Sequence, residues 1–326
     1  MPSPIPSSRL LPKGLFPSAV VGACSSPLVR TQHGSSLQVP PRSCTSVIHW
    51  KQLRSVEPVG SGGFGFVYRA EYLGSTVALK KVKRCSKNTL ASRQSFWAEL
   101  NVAHLHHQNI VRVIAATTSA PGDSDADSSI GTILMEFVGN RNLQQVIYGT
   151  AEPLEGARCV RYAADIARGL RFLHSHGVVH LDIKPANVLL SGEDVCKIAD
   201  FGCSVKLDRA RETCADHPHV SLVCGTYTHR APELLKGEAV SPKADIFSFG
   251  ITLWQLLTRE PPYAGDRQRV LYAIVAQELR PSLRDSAVFG CARGQRLRAL
   301  LAACWSADAR RRPSASELLE LLQRLP

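Results

Sequence analysis

Residues 180–187 place three reactive side chains close together, those of Asp182, Lys184 and Asn187. This spacing is typical of a loop that transfers a phosphoryl group from a nucleotide to a hydroxyl. We expect Asp182 to orient the hydroxyl and accept its proton, and Lys184 to contact the transferring phosphate. Asn187 would offer an oxygen to a magnesium ion, and Asp200 would offer a second, since this cation prefers hard oxygen ligands.

A glycine-rich run further upstream follows the pattern G-x-G-x-x-G-x-V. Glycines in such a turn let the backbone approach phosphates closely and expose N–H donors. The pattern alone is weak, because a glycine-rich hairpin without a ligand is a frequent alternative. A strand follows the run, whereas a dinucleotide-binding fold requires a helix there. The predicted nucleotide contacts in the run are Gly60, Ser61, Gly62, Gly63, Phe64, Gly65 and Val67.

Lys80 ends the apolar strand segment 77–80. A lysine that points inward from such a strand needs partners for its charge. The phosphates of ATP and a carboxylate on the following helix would provide them, and Glu99 is the candidate. Glu57 and Glu71 are poorer candidates, because both precede the lysine in the glycine-bearing strand region. A surface lysine is the alternative interpretation.

The spacing of apolar residues predicts an α+β chain with two lobes. A small antiparallel β-sheet lobe with one helix would be followed by a larger α-helical lobe. Strands are predicted within 56–68 and at 75–82, 111–116 and 131–137. Helices are predicted at 92–106, 155–174, 244–257, 267–276, 296–303 and 314–325.

Together these motifs resemble those of the eukaryotic protein kinases, over about residues 54–325. Residues 231–233 match the A-P-E motif of that family. Asp245 matches the aspartate that braces the catalytic loop, and Arg312 matches the arginine that pairs with the A-P-E glutamate. The resemblance implies a two-lobed kinase fold, with lobes at about 54–138 and 139–325.

The resemblance also implies that the protein uses ATP and Mg²⁺, and that it has a binding site for the adenine of ATP. Backbone groups of Glu136 and Val138 would bond the adenine, in the segment that joins the lobes. The side chains of Val67, Ala78 and Leu189 would enclose its ring. Ordinary core packing is the alternative role for these three apolar residues, and the two roles are compatible.

Lys184, followed by proline, and the segment 225–227 resemble the serine/threonine kinases rather than the tyrosine kinases. Three segments, 96–103, 180–182 and 227–233, resemble one branch of that family more closely. Kinases of this branch act in oocytes on a MAP kinase kinase and sustain meiotic metaphase arrest. The resemblance thus implies a MAP kinase kinase as the protein substrate.

Leu181 departs from the family pattern, which has an arginine beside the catalytic aspartate. That arginine would hold a phosphorylated residue of the activation loop through charge-assisted bonds. Leucine cannot do so, whereas Asp182 is retained. We therefore expect a kinase that is active without activation-loop phosphorylation.

Residues 1–50 are rich in proline and serine, which predicts a disordered basic tail. A mitochondrial transit peptide is the alternative, although frequent prolines oppose the amphipathic helix that it needs. The formal net charge of the chain is +12. Such a charge could attract nucleic acid, acidic membranes or acidic protein substrates. Because no nucleic-acid motif accompanies it, no nucleic-acid partner is predicted.

Ten cysteines occur without a C-x-x-C pair, which favours reduced thiols in the cytoplasm over a zinc site or a disulfide framework. No apolar run is long enough to insert into a membrane. We expect a monomeric, active kinase. A catalytically silent scaffold and a basic nucleic-acid-binding protein are the alternatives; a scaffold would typically have lost Lys80, Asp182 or Asp200, and all three are present.

Overall fold

A five-stranded antiparallel sheet forms the first lobe of the chain. The computed structural model describes residues 48–62, 65–84, 88–118, 129–149, 154–207, 225–284 and 287–325. The strands are β1 (Leu53–Gly62), β2 (Gly65–Tyr72), β3 (Ser75–Lys83), β4 (Val113–Thr117) and β5 (Ser129–Glu136), in the spatial order β1-β2-β3-β5-β4. The predicted tail lies outside the described residues as far as residue 47. Ile48 is already buried, against one face of this sheet.

Helix α1 (Thr89–Asn101) packs on the other face of the sheet. The side chain of Asn88 caps it by accepting the N–H of Ala91 at 2.9 Å. Phe96 lies under the sheet in a cluster with Val82, Val113 and Ile133. This packing fixes which side of the helix faces the strands.

The predicted end of α1 at residue 106 is wrong, since the helix stops at Asn101. Val102 and Leu105 are buried in the core of the second lobe, not beneath the sheet with Phe96. The chain turns after Asn101, and Val102 and Leu105 then pack in that second core.

Seven helices form most of the second lobe in the part of the chain that the structure describes. They are α2 (Leu143–Tyr148), α3 (Gly156–Ser175), α4 (Pro232–Leu235), α5 (Lys243–Thr258), α6 (Arg267–Ala276), α7 (Ala292–Cys304) and α8 (Ala315–Gln323). Helix α5 is buried along nearly its whole length and is the centre of the lobe. Helix α7 begins four residues before the predicted start, because the Cys291 thiol caps it by accepting the N–H of Gly294.

Short strands of the second lobe flank the predicted catalytic residues. β6 (Arg141–Asn142), β8 (Val188–Leu190) and β9 (Cys196–Ile198) form one sheet, and β7 (Val178–Val179) pairs with β10 (Val205–Lys206). Residues 180–187 connect β7 to β8, and Asp200 follows β9. The predicted α+β fold with two lobes is confirmed. Within the described ranges, no helix combines the length and the apolarity needed to span a membrane.

Candidate active site

The buried ammonium of Lys80 lies between two carboxylates. Lys80 is in β3, Glu99 is on the inner face of α1, and Asp200 is in the turn after β9. The Lys80 Nζ forms an ion pair with Glu99 and donates to Oδ1 of Asp200 at 2.8 Å. Three predicted site residues from three separate elements therefore meet at one point.

Charge in this cluster is set by burial and by Coulomb attraction together. Burial opposes the charge of Lys80, but the two carboxylates outweigh it and raise the pKa of the ammonium. Burial raises the pKa of Glu99 to about 7, against the attraction of Lys80. Burial acts in the same direction on Asp200, yet Lys80 prevails and lowers the pKa of Asp200 to about 2. A fixed cation and a fixed anion therefore coexist at neutral pH, as a site for phosphates and a metal ion requires.

Gly60 and Gly65 serve different purposes in the turn between β1 and β2. Gly65 has a φ of 154°, and a Cβ atom there would lie 2.0 Å from the carbonyl oxygen of Lys81. Any side chain at residue 65 would collide with the neighbouring strand, so packing in the sheet is sufficient to explain this glycine. A Cβ atom at Gly60 would meet no atom of the described residues within 4 Å. Packing among the described residues thus gives no reason for Gly60, and close approach to a ligand stays its predicted role.

The remainder of the glycine-rich turn is described in part. Ser61 is exposed, and Gly62 pairs with Gly65 where the two strands meet. Gly63 and Phe64, which we also predicted to contact the nucleotide, lie outside the described residues. The described part is a strand-turn-strand unit, as the pattern predicted.

Two of the predicted adenine contacts share a face of the sheet with Lys80. Val67 lies opposite Lys80 on the neighbouring strand, and Ala78 precedes Lys80 by two positions in β3. Cross-strand partners and alternate residues of a strand point to the same side. Leu189 lies half-buried in β8 of the other lobe. These positions fit an apolar slot next to the lysine.

Glu136 joins the two lobes through its side chain as well as its backbone. Its carboxylate accepts the backbone N–H of Arg112 at 2.8 Å and the Lys197 ammonium at 2.9 Å. Its backbone N–H donates to the Arg112 carbonyl at 2.9 Å. Sequence reasoning missed this role, because the two partners are 24 and 61 residues away along the chain. Val138, the other predicted backbone contact, is half-buried two residues further on.

Three N–H donors hold the buried carboxylate of Asp182. Its Oδ1 accepts the backbone N–H of Thr226 at 2.8 Å. Its Oδ2 accepts bonds from the Lys184 ammonium at 2.7 Å and the Asn187 amide at 2.9 Å. Lys184 also donates to the Thr226 hydroxyl at 2.7 Å. The predicted catalytic residues therefore form one connected group, with Thr226 as a member that the motif search did not include.

Asp245, in the first turn of α5, braces the backbone that leads to Asp182. Its Oδ2 accepts the N–H of His180 at 2.8 Å and that of the His174 ring at 2.9 Å. Its Oδ1 accepts the N–H of Leu181 at 2.8 Å. The brace implied by the family resemblance is thus present in the geometry.

The side chain of Leu181 is buried in the core of the second lobe. Its backbone has a φ of 65°. Gly225 approaches it closely, since a Cβ atom there would lie 2.8 Å from the Leu181 carbonyl oxygen. An apolar contact thus occupies the place where the family pattern puts a charged side chain.

A chain of hydrogen bonds runs from the buried ring of His229 to the exposed Tyr148. The His229 Nε2–H donates to the Gln255 side-chain oxygen at 2.6 Å, and the Gln255 amide donates to the Tyr148 hydroxyl at 2.7 Å. Tyr148 donates onward to the Glu260 carbonyl at 3.1 Å. Burial lowers the pKa of His229 to about 4, so the ring is neutral at physiological pH. Sequence reasoning missed this chain, which joins four distant positions.

Glu233 and Arg312 form a buried bidentate ion pair. The Arg312 Nη1 and Nη2 lie 2.6 and 2.7 Å from the two carboxylate oxygens. The guanidinium also lies over the Phe247 ring, at 5.2 Å from its centroid. This pair, which the resemblance implied, ties α4 to the segment before α8.

Asn187 and Asp200 suit a divalent cation. The Asn187 amide donates to the Asp182 carboxylate and to the Asp182 carbonyl at 2.9 Å, so it presents its oxygen on the opposite side. No group of three or more acidic, histidine or cysteine side chains that could hold a metal occurs among the described residues. Two oxygen ligands fit an ion such as Mg²⁺, which takes the rest of its shell from water and nucleotide phosphates.

Comparison with known proteins agrees with this geometry. Residues 53–321 match the family model described as a protein kinase domain. The chain is 53% identical over 337 residues to the serine/threonine-protein kinase mos of Xenopus laevis, covering 99% of this chain and 92% of the relative. Identity to the kinase of the same name from Gallus gallus is 52%, covering 100% of this chain and 99% of that protein. Identity to the proto-oncogene serine/threonine-protein kinase mos of Mus musculus is 49%, covering 99% and 97%.

Proposed function

This chain belongs to the Mos family of serine/threonine protein kinases, and from that premise we propose that it phosphorylates a MAP kinase kinase. It would thereby act upstream of the MAP kinase cascade in oocyte meiosis and metaphase arrest. The general activity follows from the family: an enzyme that transfers a phosphoryl group from ATP to serine or threonine hydroxyls of proteins, with a divalent metal ion. The choice of substrate and Mg²⁺ as the metal are parts of the proposal.

The observation that supports catalysis best is the anchored carboxylate of Asp182. Its three N–H donors fix its position, and a serine or threonine hydroxyl beside it would donate its proton to a carboxylate oxygen. Lys184 contacts Asp182, and its ammonium would neutralise charge that develops on the transferring phosphate. The Thr226 hydroxyl holds that ammonium from the other side.

Lys80 would bind the nucleotide phosphates in the same mechanism. Its cation is already buried and paired, so little reorganisation is needed when phosphates arrive. Asn187 and Asp200 would hold the divalent metal, which would supply further positive charge at the phosphates. Gly60 would let the backbone of the turn approach them. The adenine would lie between Val67, Ala78 and Leu189, and the backbone of Glu136 and Val138 would bond its edge.

The domain boundaries, location and assembly state belong to the same proposal. We assign the kinase domain to residues 54–325, with lobes at about 54–138 and 139–325, and a basic tail to residues 1–50. We propose a cytoplasmic, monomeric enzyme, and the thiols of Cys159, Cys196, Cys291 and Cys304, which form no disulfide, support the reducing cytoplasm. Cell fractionation and sedimentation of the purified chain test these two points.

Transfer of radiolabelled phosphate from ATP to a panel of catalytically inactive MAP kinase kinases tests the main proposal. We expect label on serine or threonine of at least one member, with Mg²⁺ present. The matched control is Asp182→Asn, which keeps the shape of the side chain and removes its basic oxygen. Equal labelling by the control would refute the catalytic role of Asp182. Labelling of peptides without labelling of any MAP kinase kinase would refute the choice of substrate.

A further inference from the structure

A hollow between helices α7 and α8 presents apolar side chains on the outside of the second lobe. Its volume is about 420 Å³. The apolar residues that line it are Ala299, Leu300 and Ala303 of α7, Leu321 of α8, and Leu325 just after that helix. Ala299 and Ala303 are four positions apart and therefore lie on one face of α7, where their small side chains leave the hollow open. We call these five residues the α7–α8 groove.

Leu321 is exposed although its helix has no need of a further apolar side chain. Leu318, Leu319 and Leu322 of α8 are buried in the core of the second lobe and form the inner face of the helix. Leu321 lies outside that face and is 43% exposed. A single exposed leucine is ordinary, but an exposed leucine at the edge of an apolar hollow is typical of a binding surface.

Two guanidinium groups also line the apolar hollow, those of Arg296 and Arg324. The Arg296 Nη1 donates to the Arg324 carbonyl at 2.8 Å, so it satisfies an acceptor at the C-terminal end of α8. Arg324 pairs with Glu320 at 3.6 Å, but both side chains are largely exposed, and surface pairs of this kind are weak. The positive charge at the groove is therefore available to a ligand that brings carboxylates beside an apolar part.

A second hollow, of about 480 Å³, adjoins the first. The two share three lining residues, Ala303, Leu321 and Arg324. Arg310, Arg311, Glu317 and Glu320 also line the second hollow, so its walls carry charges of both signs. An anionic membrane surface would meet the two glutamates unfavourably. A segment of protein can instead place its carboxylates at the arginines and leave the glutamates uncovered.

The shape and the position of the groove favour a helix as the ligand. An amphipathic helix lays the apolar residues of one face into a groove, while its polar residues stay in water. Among the described residues, those that line the two hollows include none that we assign to ATP, to the metal ion or to the transferred phosphate. A helix bound there would leave the active site open.

We propose that the α7–α8 groove binds an acidic amphipathic helix of a partner protein, at the same time as ATP and the protein substrate are bound. The partner holds the kinase in an assembly and does not compete for the active site. Binding to the groove needs no phosphoryl transfer, so this inference is independent of the proposed substrate.

The test measures binding of a synthetic peptide to the full chain by fluorescence anisotropy, without ATP. The probe is a stapled helical peptide with leucines at positions i, i+4 and i+7 and glutamates beside them, and its control carries lysines in place of the glutamates. We expect saturable binding of the glutamate peptide and binding of the lysine peptide that is weaker by about tenfold or more.

Two variants of the groove and one matched control locate the binding. Leu321→Asp adds a repulsive charge, and Ala299→Gln fills the hollow from an exposed position of α7. Each should weaken binding of the glutamate peptide by about tenfold or more. Leu73→Asp makes the same change at a leucine of the first lobe that is 62% exposed, and it should bind as the wild type does.

The remaining outcomes separate the alternatives. With a short serine peptide as substrate, kcat and KM should stay within about twofold at saturating helical peptide, because the two sites are not coupled. Competition with that substrate would overturn the proposal, as would the absence of saturable binding or equal binding by wild type and Leu321→Asp. Cosedimentation with phosphatidylserine vesicles that Leu321→Asp abolishes would assign the groove to a membrane instead. A dimer that the same variant disrupts would assign it to a second copy of the chain, and either result would also overturn the proposal.

Discussion

Oδ1 of Asp245 accepts the backbone N–H of Leu181 at 2.8 Å, and Leu181 has the left-handed φ of 65°. A residue with a side chain adopts this conformation at a cost of about 1 kcal/mol or more. The fully buried Asp245 carboxylate offsets this cost, and it holds the His180 N–H as well. The position of the neighbouring Asp182 therefore depends on a side chain 64 residues away from Leu181 along the chain.

Replacing Asp245 should weaken both the fold and the catalytic step. In Asp245→Ala two buried backbone N–H groups and the His174 ring lose their acceptor. We expect a loss of about 3 kcal/mol in the free energy of unfolding, and a fall in kcat of about a hundredfold. Urea unfolding measures the first and peptide phosphorylation the second. Asp245→Asn, which keeps one acceptor oxygen, should lie between the wild type and the alanine variant; an alanine variant with unchanged kcat would contradict the brace.

Leu181 should make activity independent of phosphate on the activation segment. A buried leucine offers no charge to a phosphorylated residue, and the apolar core already fills its position. We expect phosphatase-treated enzyme to retain its activity within about twofold. We expect the same of the variants Thr213→Ala and Ser221→Ala, which remove hydroxyls between Asp200 and Ala231. Both of those residues lie outside the described residues. Loss of activity in either variant, with rescue by an acidic replacement, would contradict the prediction.

Introducing the family arginine at this position tests the same point from the other side. Leu181→Arg puts a guanidinium into a site that is 6% exposed, so it should cost about 3 kcal/mol of stability and should not add control by phosphate. Leu181→Met conserves volume and should cost less than about 1.5 kcal/mol. Thermal unfolding of the two variants separates charge from packing. A stable Leu181→Arg enzyme that needs phosphate for activity would show that the core can admit the arginine.

His229 should make the protein less stable in acid. Its folded-state pKa, about 4, lies below the ordinary value of 6.5 that applies to the unfolded chain. The stability from this group is therefore present above pH 6.5 and is lost as pH falls toward 4, by up to about 3 kcal/mol. His229→Asn should flatten the pH dependence of unfolding across this window. The exposed His106→Asn is the control and should leave the wild-type slope; an unchanged slope in His229→Asn would refute the assignment.

That the predicted catalytic residues lie together in the structure follows from local patterns in the sequence. Asp182, Lys184 and Asn187 lie within six positions of one another. The strand around Lys80 is apolar, which predicts that the lysine is buried. The resemblance to serine/threonine kinases and the two-lobed α+β fold are confirmed by the family match and by the sheet and helix order. Phosphoryl transfer needs only a few groups at fixed positions, so short sequence motifs can indicate both the groups and the fold that holds them.

The contacts that hold those groups in place could not be predicted in this way. The Glu136 carboxylate binds partners in two other segments, and Gly65 is required by a carbonyl on the neighbouring strand. The hydrogen bonds of His229 depend on how α2 and α5 pack together. The predicted end of α1 was wrong for the same reason. The helix stops at Asn101, and Val102, the next residue, packs in the second core. Each of these is decided by residues far away along the chain.

Gly60 and Gly65 should respond differently to alanine. In Gly65→Ala the new Cβ would lie 2.0 Å from the Lys81 carbonyl oxygen, so the strands must shift, and we expect a loss of about 2 kcal/mol in unfolding free energy. In Gly60→Ala the Cβ meets no described atom within 4 Å, and stability should stay within about 0.5 kcal/mol. Because a phosphate would approach the backbone there, KM for ATP should rise about fivefold in Gly60→Ala. Denaturant unfolding and ATP titration of the two variants separate the roles; a stable Gly65→Ala, or a Gly60→Ala with unaltered KM, would show that the assignment of the two glycines is wrong.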